Sequence, residues 1–277
     1  MKSITGLLIF FAIACFQPLK AQAPFQKFTI TGHFNGLSSG IIEMLSENGD
    51  SVWQQSNITE GRFTMVGCIE TARQMLFRCR PGNWNFKAFV EPGESTLQID
   101  STGAKHYGKK GATDSWVLIW EVDQCCTPMA TDYKRFASET QQPSLAAQIQ
   151  LAYSRMKLAA DNSEQKNLAD QIDSLRQLLY FRQAAWIDRF IETQPASASG
   201  PFLLLQLYQQ TDTPDWDFFY QRLSRLTGPA LQSFYYNRLQ EKLQTLANQN
   251  QNTMAPDFSL RQSDGKKFIL NSLKGRY

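Results

Sequence analysis

Two histidines, His33 and His106, are all that the 277 residues provide, so histidine-rich zinc clusters and Ser-His-Asp machinery have little to draw on. No C-x-x-C occurs in the chain, which excludes a thioredoxin-type redox centre within it. Also missing are the G-x-x-x-x-G-K-[ST] phosphate loop, the G-x-S-x-G nucleophile elbow and the H-E-x-x-H zinc helix. Neither sign of charge is in excess. Lys+Arg 28 against Asp+Glu 25 leave +3, too weak a balance to make nucleic acid or an anionic membrane surface the leading partner. With these absences, no residue is assigned as catalytic, cofactor-binding or metal-ligating, and no cofactor and no nucleic-acid partner are expected.

What is present is enough apolar material for a core: 42% hydrophobic residues against 19% charged, too apolar for general disorder. The N-terminus reads as an address. After Met1-Lys2-Ser3 comes an apolar run from Ile4 to Phe16, shorter than the about twenty residues that span a bilayer and typical of a signal-peptide core. Two processing routes fit. Ala21-Gln22-Ala23 has the A-x-A spacing, and residues 1–23 are expected to be removed; Ala12-Ile13-Ala14-Cys15 is an imperfect lipoprotein box, the less favoured route. Either way the expected location is the periplasm or cell envelope, with no transmembrane helix in the mature chain.

Export makes it tempting to pair the remaining cysteines. A simple hairpin around Glu70–Arg73 would oppose Cys79 to residues near Phe63, about five residues from Cys68, which is beyond disulfide reach at roughly 3.3 Å per residue. Cys125 and Cys126 are adjacent, closing a ring between neighbours distorts the peptide, and the expectation is two thiols on a helical segment.

Residues 25–105 read as a β-rich domain, an antiparallel sandwich or open barrel. Phe28, Ile30 and Phe34 alternate with polar residues, Ile41 to Leu45 is a short apolar run, and Phe63, Met65, Gly67 and Ile69 alternate again. Met75–Cys79, Trp84–Val90, and Leu97 with Ile99 extend the series, with Arg80-Pro81-Gly82-Asn83 as a turn. Residues 112–247 read as helical. Trp116, Ile119 and Trp120 fall at helical spacing with Pro128 limiting that first helix, and Ser163 to Thr193 carries a stripe of Leu168, Ile172, Leu175, Leu179, Trp186 and Phe190. Ser199-Gly200-Pro201, Thr213-Pro214 and Thr227-Gly228-Pro229 announce three more helices. Asp215 and Asp217 stand where carboxylates complement a helix N-terminus, which accounts for them without catalysis. The polar run 248–253 is expected to be a linker.

The C-terminal residues form the most specific pattern. Met254-Ala255-Pro256-Asp257-Phe258-Ser259-Leu260, Ser263-Asp264-Gly265-Lys266 and Phe268-Ile269-Leu270-Asn271-Ser272-Leu273-Lys274-Gly275-Arg276-Tyr277 describe a hairpin with an Asp-Gly turn, followed by a capped helical turn. The order A-P-D-F-x-L, D-G-K, L-x-x-L-K-G-[KR]-Y resembles the opening of the TlpA/ResA-like branch of the thioredoxin superfamily, grouped with alkyl hydroperoxide reductase and thiol-specific antioxidant proteins. Phe28, Ile30 and Gly32, Gly61-Arg62-Phe63 and Glu91-Pro92-Gly93 resemble, more weakly, a β-rich domain found upstream of such redox domains. The resemblance implies an α+β chain in which 254–277 opens an incomplete thioredoxin-like domain. It implies an envelope thiol-disulfide oxidoreductase whose partners carry disulfides or thiols. In that family a W-C-x-x-C turn follows the next strand. The chain stops at Tyr277, so as given it is expected to be inactive in that chemistry. A non-enzymatic envelope binding module is the alternative, and self-association through 254–277 is expected if its apolar side chains stay uncovered.

Overall fold

A computed structural model describes residues 25–46, 49–107, 116–119, 121–250, 259–261 and 267–269. The expected signal peptide, Cys15, Phe258, Leu270 and the expected C-terminal helical turn lie outside the described residues. The chain is mixed α+β: ten strands in one curled sheet, a half-barrel, and then helices.

The first strands are β1 (Gln26–Asn35), β2 (Ser39–Leu45), β3 (Val52–Thr59), β4 (Arg62–Ile69), β5 (Arg73–Arg80), β6 (Trp84–Val90) and β7 (Gly93–Asp100). Alternation places Phe28, Ile30 and Phe34 inside with Phe63, Met65, Phe77, Phe86 and Leu97, all buried. Three short strands complete the sheet: β8 (Lys105–Tyr107), β9 (Trp116–Leu118) and β10 (Glu121–Cys125), in the order β10-β7-β1-β4-β3-β2-β5-β6-β9-β8. These ten strands form a single curled sheet, and among the described residues of this region no second sheet packs on it as in a sandwich. Two of its pairings, β1 with β7 and β6 with β9, are parallel.

Two glycines let the curl close over aromatic rings. Gly32 faces Phe63 across the β1–β4 ladder, and Gly67 faces Phe28. A Cβ on Gly32 would stand 2.1 Å from the Phe63 ring, and one on Gly67 would stand 2.7 Å from the Phe28 ring. At the β3–β4 corner, Glu60 (φ 51) and Gly61 (φ 72) form a two-residue left-handed turn of the kind that matches strand twist.

Backbone pairing fails at one seam in the sheet. The ladder between β3 and β4 consists of Thr59 opposite Arg62, and beyond it polar side chains take over. Gln54 donates to the Val66 carbonyl at 2.8 Å and Ser56 to the Thr64 carbonyl at 2.6 Å. Of β3, only Ile58 is buried, which is why apolar alternation gives no sign of this strand.

The helices are α1 (Pro128–Glu139), α2 (Gln142–Leu158), α3 (Asn162–Thr193), α4 (Ser199–Gln209), α5 (Trp216–Leu223) and α6 (Phe234–Asn250). Three sequence expectations are corrected here. Residues 116–118 and 121–125 are strands: Val117 and Ile119 are buried and alternate with Trp116 and Leu118, Trp116 stacks on its cross-strand partner Tyr107 at 4.4 Å, and Trp120 lies outside the described residues. Pro128 therefore begins a helix, in the first-turn position where its missing N–H costs nothing. Gly228–Gln232 is a short 3-10 turn separate from α6, and α6 runs through 248–250, since Gln and Asn without Gly or Pro do not break it. Leu168 and Ile172 of the α3 stripe pack on α2, while Trp186, Ile187 and Phe190 pack with Phe136, Leu203, Phe219 and Leu239 in the main helical core.

After the helices, β11 (Ser259–Arg261) pairs antiparallel with β12 (Lys267–Ile269), Leu260 opposite Phe268. Among the described residues no helix is long and apolar enough to cross a membrane.

Candidate functional site

The sheet and helices meet along β6. Phe86, Ala88 and Val90 point into the half-barrel, whereas Phe89, on the other face, joins the helical core, edge-on to Phe202 at 5.1 Å and Tyr133 at 5.7 Å. Strand β10 approaches β6 without a backbone ladder. Its Gln124 bridges the gap: Nε2 donates to the Phe89 carbonyl at 2.7 Å, and Oε1 accepts from the Phe89 N–H at 2.8 Å. One side-chain amide thus reproduces the donor–acceptor pair that a neighbouring strand would present.

Immediately after β6, Glu91-Pro92-Gly93 turns the chain into β7, and the Glu91 side chain reaches the start of α1. Thr127, at the cap position, makes no side-chain cap bond. Both Glu91 carboxylate oxygens instead accept from the Met129 N–H at 3.1 Å, meeting an orphan donor at the positive end of the helix. Burial pushes this carboxyl above its ordinary value, and hydrogen bonds at the helix terminus oppose that rise only in part.

Beside this junction opens a groove of about 1200 Å³ between the sheet and α1, with His33, Asn35, Asp100, Asp123, Tyr133 and Lys134 among its lining residues. Much of its polar chemistry is internally satisfied. Asp100 accepts from the Thr102 hydroxyl at 2.6 Å and N–H at 2.9 Å, which holds its carboxyl below the usual range. Asp123 pairs with Lys134 at 2.8 Å. Such a surface can bind; it presents no assembled nucleophile and base.

Elsewhere the charged groups serve packing. Asp215 caps α5, accepting from the Asp217 and Phe218 N–H groups. Asp132 accepts from the Ser199 hydroxyl at 2.7 Å, tying α1 to α4. Glu43, buried on β2, holds Arg78 at 2.7 Å and Arg80 at 3.3 Å. His106 lies edge-on to Trp84 at 6.0 Å. Among the described residues no three His, Cys, Asp or Glu side chains are grouped to hold a metal ion.

All four described cysteines are free thiols. Strand β5 does not pair with β4, so the expected hairpin around Glu70–Arg73 is absent; Cys79 lies opposite Ile42 and Trp84, with β3 and β2 between its strand and that of Cys68. Burial, with the nearby Glu43 charge, pushes the Cys79 thiol up to about 12. Cys125 and Cys126 are not helical: Cys125 ends β10, and Cys126 occupies the bend before α1.

The roles of Gln124 and Glu91 escape a reading of the sequence, because each resembles a solvent-facing polar residue. The Thr127-Pro128 pair was a usable signal for the start of α1, of the same kind as those read downstream. Comparison with protein-family models and with curated proteins finds no match.

Proposed function

We propose that this chain is the N-terminal portion of an exported thiol-disulfide oxidoreductase of the cell envelope. The half-barrel and helices precede a thioredoxin-like unit whose opening hairpin is 254–277. The observation that carries this reading is the ordered pattern from Met254 to Tyr277. The antiparallel register of β11 and β12, which sets Leu260 opposite Phe268, supports it. The redox partners would be envelope proteins bearing disulfides or thiols, attacked by a low-pKa cysteine of a W-C-x-x-C turn downstream of Tyr277.

Transcript sequencing across the Tyr277 codon tests this, joined to an insulin-reduction assay with dithiothreitol on the 277-residue chain and on any longer product. A W-C-x-x-C within about a dozen codons, with turnover in the longer product alone, is the expected result. An in-frame stop with no such motif, or equal turnover by both chains, refutes it.

The groove between the sheet and α1 favours a second reading, a non-enzymatic envelope module that binds a partner there. Its volume exceeds the usual range for a small ligand, about 300–1,000 Å³, and its lining mixes both charges with amides.

A further inference from the structure

Adjacent thiols in a continuing strand are held apart, because consecutive side chains point to opposite faces. Here the strand stops between them. Cys125 is the last residue of β10, and Cys126 takes φ 76, the left-handed region that side-chain-bearing residues seldom occupy. That reversal brings both side chains to the same side. The two Sγ atoms stand 2.6 Å apart, nearer than the about 3.5 Å at which unbonded heavy atoms usually meet.

Both thiols are exposed, whereas Cys79 is buried. The backbone on either side of the pair is anchored. On one side Gln124 is bonded to Phe89 through both its amide atoms; on the other, Pro128 opens α1 and Glu91 holds the Met129 N–H. These anchors leave residues 125 and 126, at the end of β10 and in the bend after it, as the part of the chain that adjusts when the two sulfurs join.

We propose that Cys125 and Cys126 form a vicinal dithiol that closes to a disulfide by exchange with a small external disulfide. The thiolate of one cysteine attacks one sulfur of the external disulfide, breaking its S–S bond and releasing one thiolate. The neighbouring cysteine, on losing its proton, attacks the protein sulfur of this mixed disulfide and releases the second. The protein gives up two electrons and two protons; the external disulfide takes both and leaves as two thiols. The pair is independent of any W-C-x-x-C downstream, so it stands or falls apart from the oxidoreductase reading.

The test uses the full chain, reduced, desalted and exposed to oxidised glutathione, then capped with iodoacetamide and digested with trypsin. Cleavage after Lys110 and Lys134 releases one peptide, 111–134, carrying Cys125 and Cys126 and no other cysteine. The expected product is that peptide uncapped and lighter by two hydrogens, converted to the doubly capped form by dithiothreitol followed by a second treatment with iodoacetamide. In Cys126→Ser the closed form is absent, and Cys125 is recovered capped or glutathionylated. Because the fold holds the side chains together, closure is expected to be about tenfold faster in the native chain than in urea. Recovery of 111–134 as doubly capped, doubly glutathionylated or cross-linked between chains overturns the proposal, and so does an equal rate in urea.

Discussion

Replacing Gln124 with alanine removes both hydrogen bonds that join β10 to the backbone of Phe89 and leaves that residue's N–H and C=O without their partners. Phe89 is 4% exposed, while Gln124 is half-buried at the edge of the groove, so water replaces part of what is lost. Each bond contributes about 0.5–1.5 kcal/mol net, and an unpaired buried group costs about 1–3 kcal/mol. The expected loss is about 2 kcal/mol, or about 4–8 °C in Tm for a chain of this size. Gln124→Glu is the sharper probe, because it keeps shape and changes one proton. An ionised carboxylate can accept from the Phe89 N–H but repels its carbonyl; the protonated acid offers one donor and one acceptor and restores the match. The folded state therefore holds that proton more tightly than the unfolded one, and the variant's deficit grows as pH rises. Urea denaturation at about pH 4 and about pH 7, with hydrogen exchange at the Phe89 amide, reads both effects. Wild-type stability and Phe89 protection in the alanine variant, or a pH-independent deficit in the glutamate variant, would refute closure of the sheet by this amide.

Glu91→Ala should cost about 1 kcal/mol through the lost cap, seen as a lower urea midpoint and faster exchange at Met129. Because burial raises the Glu91 carboxyl, its folded form holds the proton more tightly; this contribution is fullest below the ordinary carboxylate value and fades as pH rises through the raised one. Glu91→Gln should flatten that slope, and an unchanged pH profile would rule the linkage out. Gly32→Ala places a methyl 2.1 Å from the Phe63 ring and should destabilise by about 1–3 kcal/mol; pairing it with Phe63→Leu should recover part of the loss, and failure to do so in a double-mutant cycle would count against the contact. Trypsin should cut at Arg261, Lys266, Lys267 and Lys274 before it cuts within α3, because a two-stranded hairpin alone is marginal in water; equal resistance would mean that this segment is stably docked.

The half-barrel was legible wherever one face of a strand is buried. Seven of its strands lie in the region read as β, and the alternation of Phe28, Ile30, Phe63, Met65, Leu97 and Ile99 corresponds to the observed inner face. What stayed hidden is held by polar atoms. Gln54, Ser56 and Gln124 make bonds that a backbone ladder makes elsewhere, and a hydrophobicity pattern gives no sign that a glutamine faces a carbonyl instead of solvent. The error at 116–119 had a different cause. Trp116, Ile119 and Trp120 fall at helical spacing, whereas the β-branched Val117 and Ile119 between the tryptophans favoured strand. The cysteine pair was misread for the same reason, since its supposed helix was an extension of that one.

Most of the residues behind the weaker upstream resemblance shape the fold. Phe28 and Phe63 cover the glycines of the opposite strand, Gly32 admits a ring, Gly61 makes the β3–β4 turn, and Glu91-Pro92-Gly93 couples the sheet to α1. A signature built from such residues can travel with an architecture and carry no chemistry of its own. Under the proposed function the half-barrel and helices would serve as scaffold and groove, and bond-making would fall to cysteines. Within the described residues the thiols best placed for exchange are Cys125 and Cys126, exposed and side by side at the joint between the two halves of the fold. Glu91 and Gln124 fix that joint from opposite sides, so loosening either should change the rate at which the pair closes. Gln124→Ala is expected to slow closure by oxidised glutathione toward its rate in urea, while Cys68 alkylates as before. An unchanged closure rate would mean that the pair owes its geometry to its own two residues and not to the fold around them.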